Sequence, residues 1–130
     1  MPEKVYVAAS FEQTEEVREV QRLLREAGHT ITADWTVHEE IANLPTEKER
    51  NELRKRYVIE DVEGVKSAST YILLLGDRKS TGAHIELGIA IGAGTKNIIL
   101  VGKADPNQLF YSHSGIVIVP DVATLLKLLK

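Results

Sequence analysis

Apolar and polar positions follow two rhythms along this chain. Short, nearly continuous apolar runs alternate with longer stretches whose apolar residues recur at helical spacing. Lys4 to Ala8 (KVYVA), Tyr71 to Leu75 (YILLL), Asn97 to Val101 (NIILV) and Ile116 to Val119 (IVIV) read as buried strands, with Ile31 to Asp34 a short further one. Thr14 to Ala27 carries Val17, Val20, Leu23, Leu24 and Ala27 on one helical face, and Gly28 follows in the position that stops a helix. A charged helix is predicted from about Thr46 to Lys66, with Leu53, Tyr57, Val58, Val62 and Val65 as its inner stripe. Helices at about Gly82 to Ala93 and Val122 to Leu129 complete the series, and Trp35 to Pro45 is a loop carrying the only tryptophan.

Strand and helix alternate without repeat, low-complexity stretch or composition break, so residues 1–130 are expected to form a single domain. Five strands alternating with helices imply a parallel sheet with right-handed crossovers. The predicted architecture is a flavodoxin-like, Rossmann-like three-layer α/β sandwich with strand order 2-1-3-4-5. In that order a ligand crevice lies at the carboxyl ends of strands 1 and 3. It would gather three loops, Ala9 to Gln13, Trp35 to Pro45 and Gly76 to Gly82.

Composition narrows the function classes. The chain is 43% apolar but only 5% aromatic, the Val, Ile, Leu and Ala palette of a covered parallel sheet. A net charge of −3 gives no broad footprint for nucleic acid. The lack of cysteine removes disulfides, thiolate chemistry and Cys-based zinc sites, in keeping with a reducing compartment. No basic-then-apolar leader opens the chain, and no apolar run approaches the roughly 20 residues of a membrane span. A soluble, cytoplasmic protein is expected, with no membrane partner. His29, His38 and His113 show no ligand spacing with a carboxylate cluster, and His84, two residues before Glu86, falls on a different helical face, so no metal and no cofactor is expected.

The densest chemistry lies in STGAHIELG, Ser80 to Gly88. It follows a continuous apolar strand and the loop GDRKSTG, and it sets one carboxylate, Glu86, in an otherwise apolar helical run. A strand that empties through such a loop into a helix N-terminus is where α/β proteins bind anions. A carboxylate one turn inside that helix is costly to bury without partners or a task. Two readings stay open: Glu86 caps backbone amides, or it is a nucleophile or base at the floor of a pocket.

Three segments together resemble the nucleoside 2-deoxyribosyltransferase-like family over nearly the whole chain. They are KVYVAASF with the following helix and AGHTITADWT; DVEGVKSASTYILLL joined to STGAHIELGIAIGAGTKNIILVG; and NQLFYSHSGIVIVPD. The resemblance implies that Glu86 is the nucleophile that attacks the anomeric carbon and forms a covalent glycosyl-enzyme. It further implies that Asp61 protonates the departing base and that the Tyr6 hydroxyl orients the nucleophile. These roles suit the chemistry: an oxocarbenium-like state is stabilised by a carboxylate beneath C1′, and the leaving base needs an acid. By position alone, Tyr6 is equally an ordinary strand aromatic, and Asp61 a surface residue of a charged helix.

Within the family, the transferases carry an acidic residue six positions before the nucleophile and the 2′-deoxynucleoside 5′-monophosphate N-hydrolases a serine; here it is Ser80. Ser10 matches a second serine of the hydrolases. Thr81 and Gly82 at the helix N-terminus, with Arg78 and Lys79 before them, favour an anion. The chain departs from the hydrolases where they carry arginine in the first loop: here Glu12, Glu15 and Glu16 bring negative charge to the mouth. Trp35 is placed to stack on a base or to close the core. The stretch LFYSHSG resembles one that reaches a neighbouring protomer's site, which nominates Ser112 and Ser114 and implies a homodimer or higher homo-oligomer with shared active sites. The expected activity is hydrolysis of the N-glycosidic bond of a 2′-deoxynucleoside 5′-monophosphate. Deoxyribose transfer between bases is the alternative, and a non-catalytic nucleotide-binding module the second.

Overall fold

In the computed structural model, which describes residues 2–130, five parallel strands form one sheet in the order β2-β1-β3-β4-β5. The strands are β1 (Lys4–Ala8), β2 (Thr30–Ile31), β3 (Thr70–Leu74), β4 (Asn97–Val101) and β5 (Ile116–Val119). The helices are α1 (Thr14–Glu26), α2 (Glu47–Ser67), α3 (Thr81–Ala93) and α4 (Val122–Leu128). This is the α/β flavodoxin-like sandwich expected from the pattern. Right-handed crossovers put α2 and α3 together on one face of the sheet, where they pack on each other, and α1 and α4 on the other. No helix among the described residues is long and apolar enough to cross a membrane.

The core is the central strands with their helical cover. Val5 to Ala8 and Tyr71 to Leu74 are buried on both faces, as continuous apolar runs in a parallel sheet require. Gly28 ends α1 with φ +94°, a conformation a side chain would strain. β2 is shorter than the expected Ile31 to Asp34. After Ile31 the Thr32 hydroxyl turns to the carbonyl of Gly64, and Asp34 Oδ1 caps the next turn by accepting from the Thr36 amide. The Thr32 amide still bonds to the Val5 carbonyl at 2.9 Å; beyond it the tie to α2 and the Asp34 cap take the chain off the sheet edge.

The inner stripe of α2 also differs from expectation. Leu53 and Val65 are buried and Tyr57 and Val62 half-buried, but Val58 is 60% exposed. Gly64 makes the close contact instead: a Cβ there would stand 2.5 Å from Ala33 Cβ and 3.2 Å from Tyr6 Cδ2. The helix reaches the sheet where it has no side chain. That approach brings Asp61, one turn earlier, to the end of the sheet occupied by Tyr6.

Candidate active site

Strand register builds the floor of the site. Tyr6 on β1 pairs with Tyr71 on β3, so both rings point to the same face of the sheet, and they lie parallel with centroids 6.1 Å apart. Tyr71 donates its hydroxyl hydrogen bond to the carbonyl of Ala83 at 2.7 Å, in the first turn of α3. Tyr6 donates to Glu86 Oε2 at 2.5 Å, one turn further on. Two buried tyrosines thus stand as posts beneath α3 and fix the azimuth of Glu86.

The electrostatics follow from this burial. Burial pushes the Glu86 carboxyl up to about 7, the negative charge of Asp61 pushes the same way, and the Tyr6 hydrogen bond opposes both. Tyr6 itself is raised beyond the ordinary phenol range by burial and then by the Glu86 charge, so it remains a donor. Asp61 is also raised, first by burial, with the His38 imidazole pulling it down and Glu60 pushing it up. Asp61 Oδ1 is buried without a hydrogen-bond partner. A buried, unpaired carboxylate oxygen is costly in a resting protein and suits a group that exchanges a proton with a ligand.

The three expected loops do converge. Gln13 packs its amide on Gly76, where a Cβ would stand 2.8 Å from it, and Phe11 meets Trp35 edge-on at 5.7 Å. Arg78 pairs with Glu12 at 3.3 Å. Ser10 and Ser80 line one cavity of about 300 Å³, together with Gln13, Lys79, Lys103 and Tyr111. Ser80 caps α3, its Oγ accepting from the Ala83 amide at 3.1 Å. Thr81 and Gly82 are exposed beside it. Lys79 pairs with Asp105 at 3.0 Å, so the two expected cations are both partly neutralised by carboxylates. Lys103, not anticipated from the sequence, forms no ion pair among the described residues.

Trp35 is 7% exposed, and its indole N–H donates to the carbonyl of Val7 at 2.7 Å. The ring therefore closes the core while one face lines a second cavity of about 490 Å³, with Phe11, His38 and Tyr57 also in its wall. Ser112 and Ser114 are exposed in the β4–β5 connection and do not join the other residues within one chain.

Two histidines carry more than their spacing suggested. His84 Nδ1 lies 2.7 Å from the Ser80 carbonyl and so donates to it, which leaves Nε2 to accept from the Tyr111 hydroxyl at 2.7 Å. His38 stacks on Tyr57 with centroids 3.7 Å apart, and its Nε2 faces Glu60 Oε2 at 3.4 Å and Asp61 Oδ1 at 3.7 Å. The linear distance from loop to helix hides this pairing; the one available signal was the polar cluster HEE beside an aromatic helix position. Among the described residues no group of three or more His, Cys, Asp or Glu is arranged to hold a metal ion.

No family model matches the sequence, and no curated protein matches it. Solved structures do. The chain is similar to the 2-deoxyribosyltransferase of the psychrotolerant bacterium Bacillus psychrosaccharolyticus, with a TM-score of 0.71, 23% identity, and 94% of this chain and 89% of that one covered. It is also similar to the Clostridium botulinum CMP N-glycosidase BcmB, with a TM-score of 0.63, 20% identity and 97% of each chain covered. At these identities what the chain shares with both proteins, over almost its full length, is the fold.

Proposed function

We propose that this protein cleaves the N-glycosidic bond of a nucleotide through a covalent glycosyl-Glu86 intermediate. The observation that carries the reading is the pairing of Tyr6 with a buried, proton-poised Glu86 inside the electrostatic reach of Asp61, at the carboxyl ends of β1 and β3. Glu86 attacks C1′ as the carboxylate, and the Tyr6 hydroxyl steers the attacking oxygen. The C1′–N bond breaks, its electron pair leaves with the base, and Asp61 delivers the proton that the base nitrogen takes up. Water then attacks the same carbon and passes a proton to the Asp61 carboxylate, while the C1′–Oε bond breaks and its electron pair returns to Glu86 as the free carboxylate. The two carboxylates repel, so the pair retains one proton, and the productive form keeps it on Asp61. The two solved relatives in fold, a deoxyribosyltransferase and a CMP N-glycosidase, support this class of chemistry.

The base belongs in the aromatic cavity of Phe11, Trp35, His38 and Tyr57, where flat faces are available and His38 stands 3.7 Å from Asp61. A 5′-phosphate belongs in the cavity of Ser10 and Ser80, with Lys103 in its wall and Thr81 and Gly82 next along the exposed first turn of α3. Ser80, where the transferases carry an acidic residue, favours a 2′-deoxynucleoside 5′-monophosphate as the substrate and water as the acceptor. Transfer of deoxyribose to a second base is the second reading, favoured by Glu12, which occupies Arg78 and lowers the positive charge at the mouth.

The active form in this reading is a homodimer or higher homo-oligomer with shared active sites. Between β4 and β5 no α-helix covers the sheet, which leaves Ile85 and Phe110 62% and 65% exposed around an apolar cavity of about 500 Å³ on α3. A second copy seated there would bring Ser112 or Ser114 toward its partner's site.

The test is a panel of nucleosides and their monophosphates, with and without a free second base, followed by chromatography for released base. A deoxynucleoside monophosphate should be cleaved with higher kcat/KM than the same nucleoside, and Ser80→Asp should shrink or invert that preference. Preference of the parent for free nucleosides, with exchange onto the added base, would put the transferase reading in its place. Binding without base release from any substrate would leave a nucleotide-binding module.

A further inference from the structure

Asp61 has a neighbour that the proposed chemistry does not yet use. The imidazole of His38 is held flat against Tyr57, centroids 3.7 Å apart and planes within 1°. Tyr57 is itself tethered, its hydroxyl donating to the carbonyl of Glu39 at 3.1 Å. The clamp directs Nε2 toward two successive carboxylates of α2, Glu60 at 3.4 Å and Asp61 at 3.7 Å. Glu60 is half-exposed and has a second partner in Arg56 at 3.9 Å. Asp61 Oδ1 is buried and has no hydrogen bond, and His38 is its only ion-pair neighbour among the described residues.

We infer that His38 is a positioning residue for Asp61: its imidazole, clamped on Tyr57, holds the unpartnered carboxylate oxygen in place and stabilises the anion left when Asp61 gives up its proton. The inference rests on the proposed function for its catalytic consequence, though the coupling itself does not. An acid in a dry site donates poorly, because its anion is desolvated. A cation at contact range offsets that cost and strengthens the acid, while Glu60 acts in the opposite sense. The other groups around His38 are Glu39 and Glu40 of its own loop, Arg56 stacked on Tyr57, and Asp34 and Glu63 across the neighbouring groove.

The test reads Asp61 directly. Carbon-detected NMR of its carboxyl gives a titration midpoint in the parent, in His38→Gln and in Glu60→Gln. The midpoint should rise when His38 is replaced and fall when Glu60 is replaced, opposite signs that a general loosening of the loop would not produce. In parallel, His38→Gln should lower kcat/KM about tenfold for substrates with an ordinary nucleobase, and distinctly less for an activated aryl deoxyriboside phosphate, whose departure needs little acid help. An Asp61 midpoint unmoved by His38→Gln, or equal losses on both leaving groups, overturns the inference. If the parent releases no base from any substrate, the proposed function falls and the titration alone decides: a rise upholds the His38–Asp61 coupling and an unmoved midpoint refutes it. Should His38→Gln fail to fold, Tyr57→Leu, which removes the clamp and leaves the imidazole, should raise the midpoint in the same direction.

Discussion

The two carboxylates of this site are prepared by different parts of the molecule. Glu86 sits on an apolar helix over the centre of the sheet, and its partner is fixed by the register of β1 against β3. Asp61 sits on a charged surface helix at the sheet's thinner side, where β2 has two residues, and its surroundings come from the loop after Trp35. One group is held by the core, with a hydrogen bond already made. The other keeps a buried oxygen unpaired and relies on a stacked imidazole nearby. The difference suits the proposed roles: a nucleophile gains from a fixed trajectory, whereas an acid must change its charge during the reaction and gains from neighbours that adjust its proton affinity.

Glu86→Gln should have the largest effect, a fall in base release of at least about 1,000-fold with nucleotide binding retained. The same change should stabilise the fold. The Glu86 carboxyl is held at about 7 against an ordinary 4.5, so it favours the folded state fully below 4.5 and loses that contribution as pH rises through 7. Urea unfolding should therefore show the variant more stable by roughly 1–3 kcal/mol above pH 7 and little different near pH 4. Equal stability at both would mean that burial does not strain the carboxylate.

Asp61→Asn comes next. Base release from ordinary nucleobases should fall about 100-fold, and release of an activated aryl group far less. Equal losses would make Asp61 a sugar-binding or purely structural residue. Tyr6→Phe should cost about tenfold in kcat and, because the lost hydrogen bond was lowering the Glu86 carboxyl, should move the acid limb of the kcat/KM profile above its parent position near pH 7. An unmoved limb would detach Tyr6 from the nucleophile. Gly64→Ala should be the mildest for chemistry but costly for the fold, about 1–3 kcal/mol by thermal or urea unfolding, since the new Cβ meets Ala33 at 2.5 Å.

The same division explains what the sequence could reveal. Strands β1, β4 and β5 fall where continuous apolar runs placed them, and β3 within one residue; in β1, β3 and β4 burial on both faces leaves that unbroken signature, whereas β5 keeps it with Val117 and Ile118 exposed. Glu86 stood out for a related reason, a charge in an apolar helix. The α2 stripe was misread at Val58 because the helix touches the sheet through Gly64, and absence of a side chain leaves no hydrophobic mark. His38 was passed over because its partners lie on α2, some 20 residues on, joined only by a loop whose path depends on Asp34 capping and Tyr57 stacking. Lys103 and the carboxylate partners of Arg78 and Lys79 were likewise set by loop geometry.

The claim that Glu86 forms a bond to the sugar is tested most directly by mass spectrometry of acid-quenched protein during turnover of a deoxynucleoside monophosphate. An added deoxyribose phosphate that peptide sequencing maps to Glu86 is expected in the parent and should be missing in Glu86→Gln. Base release at the parent rate without any such adduct, together with retained turnover by Glu86→Gln, would contradict it.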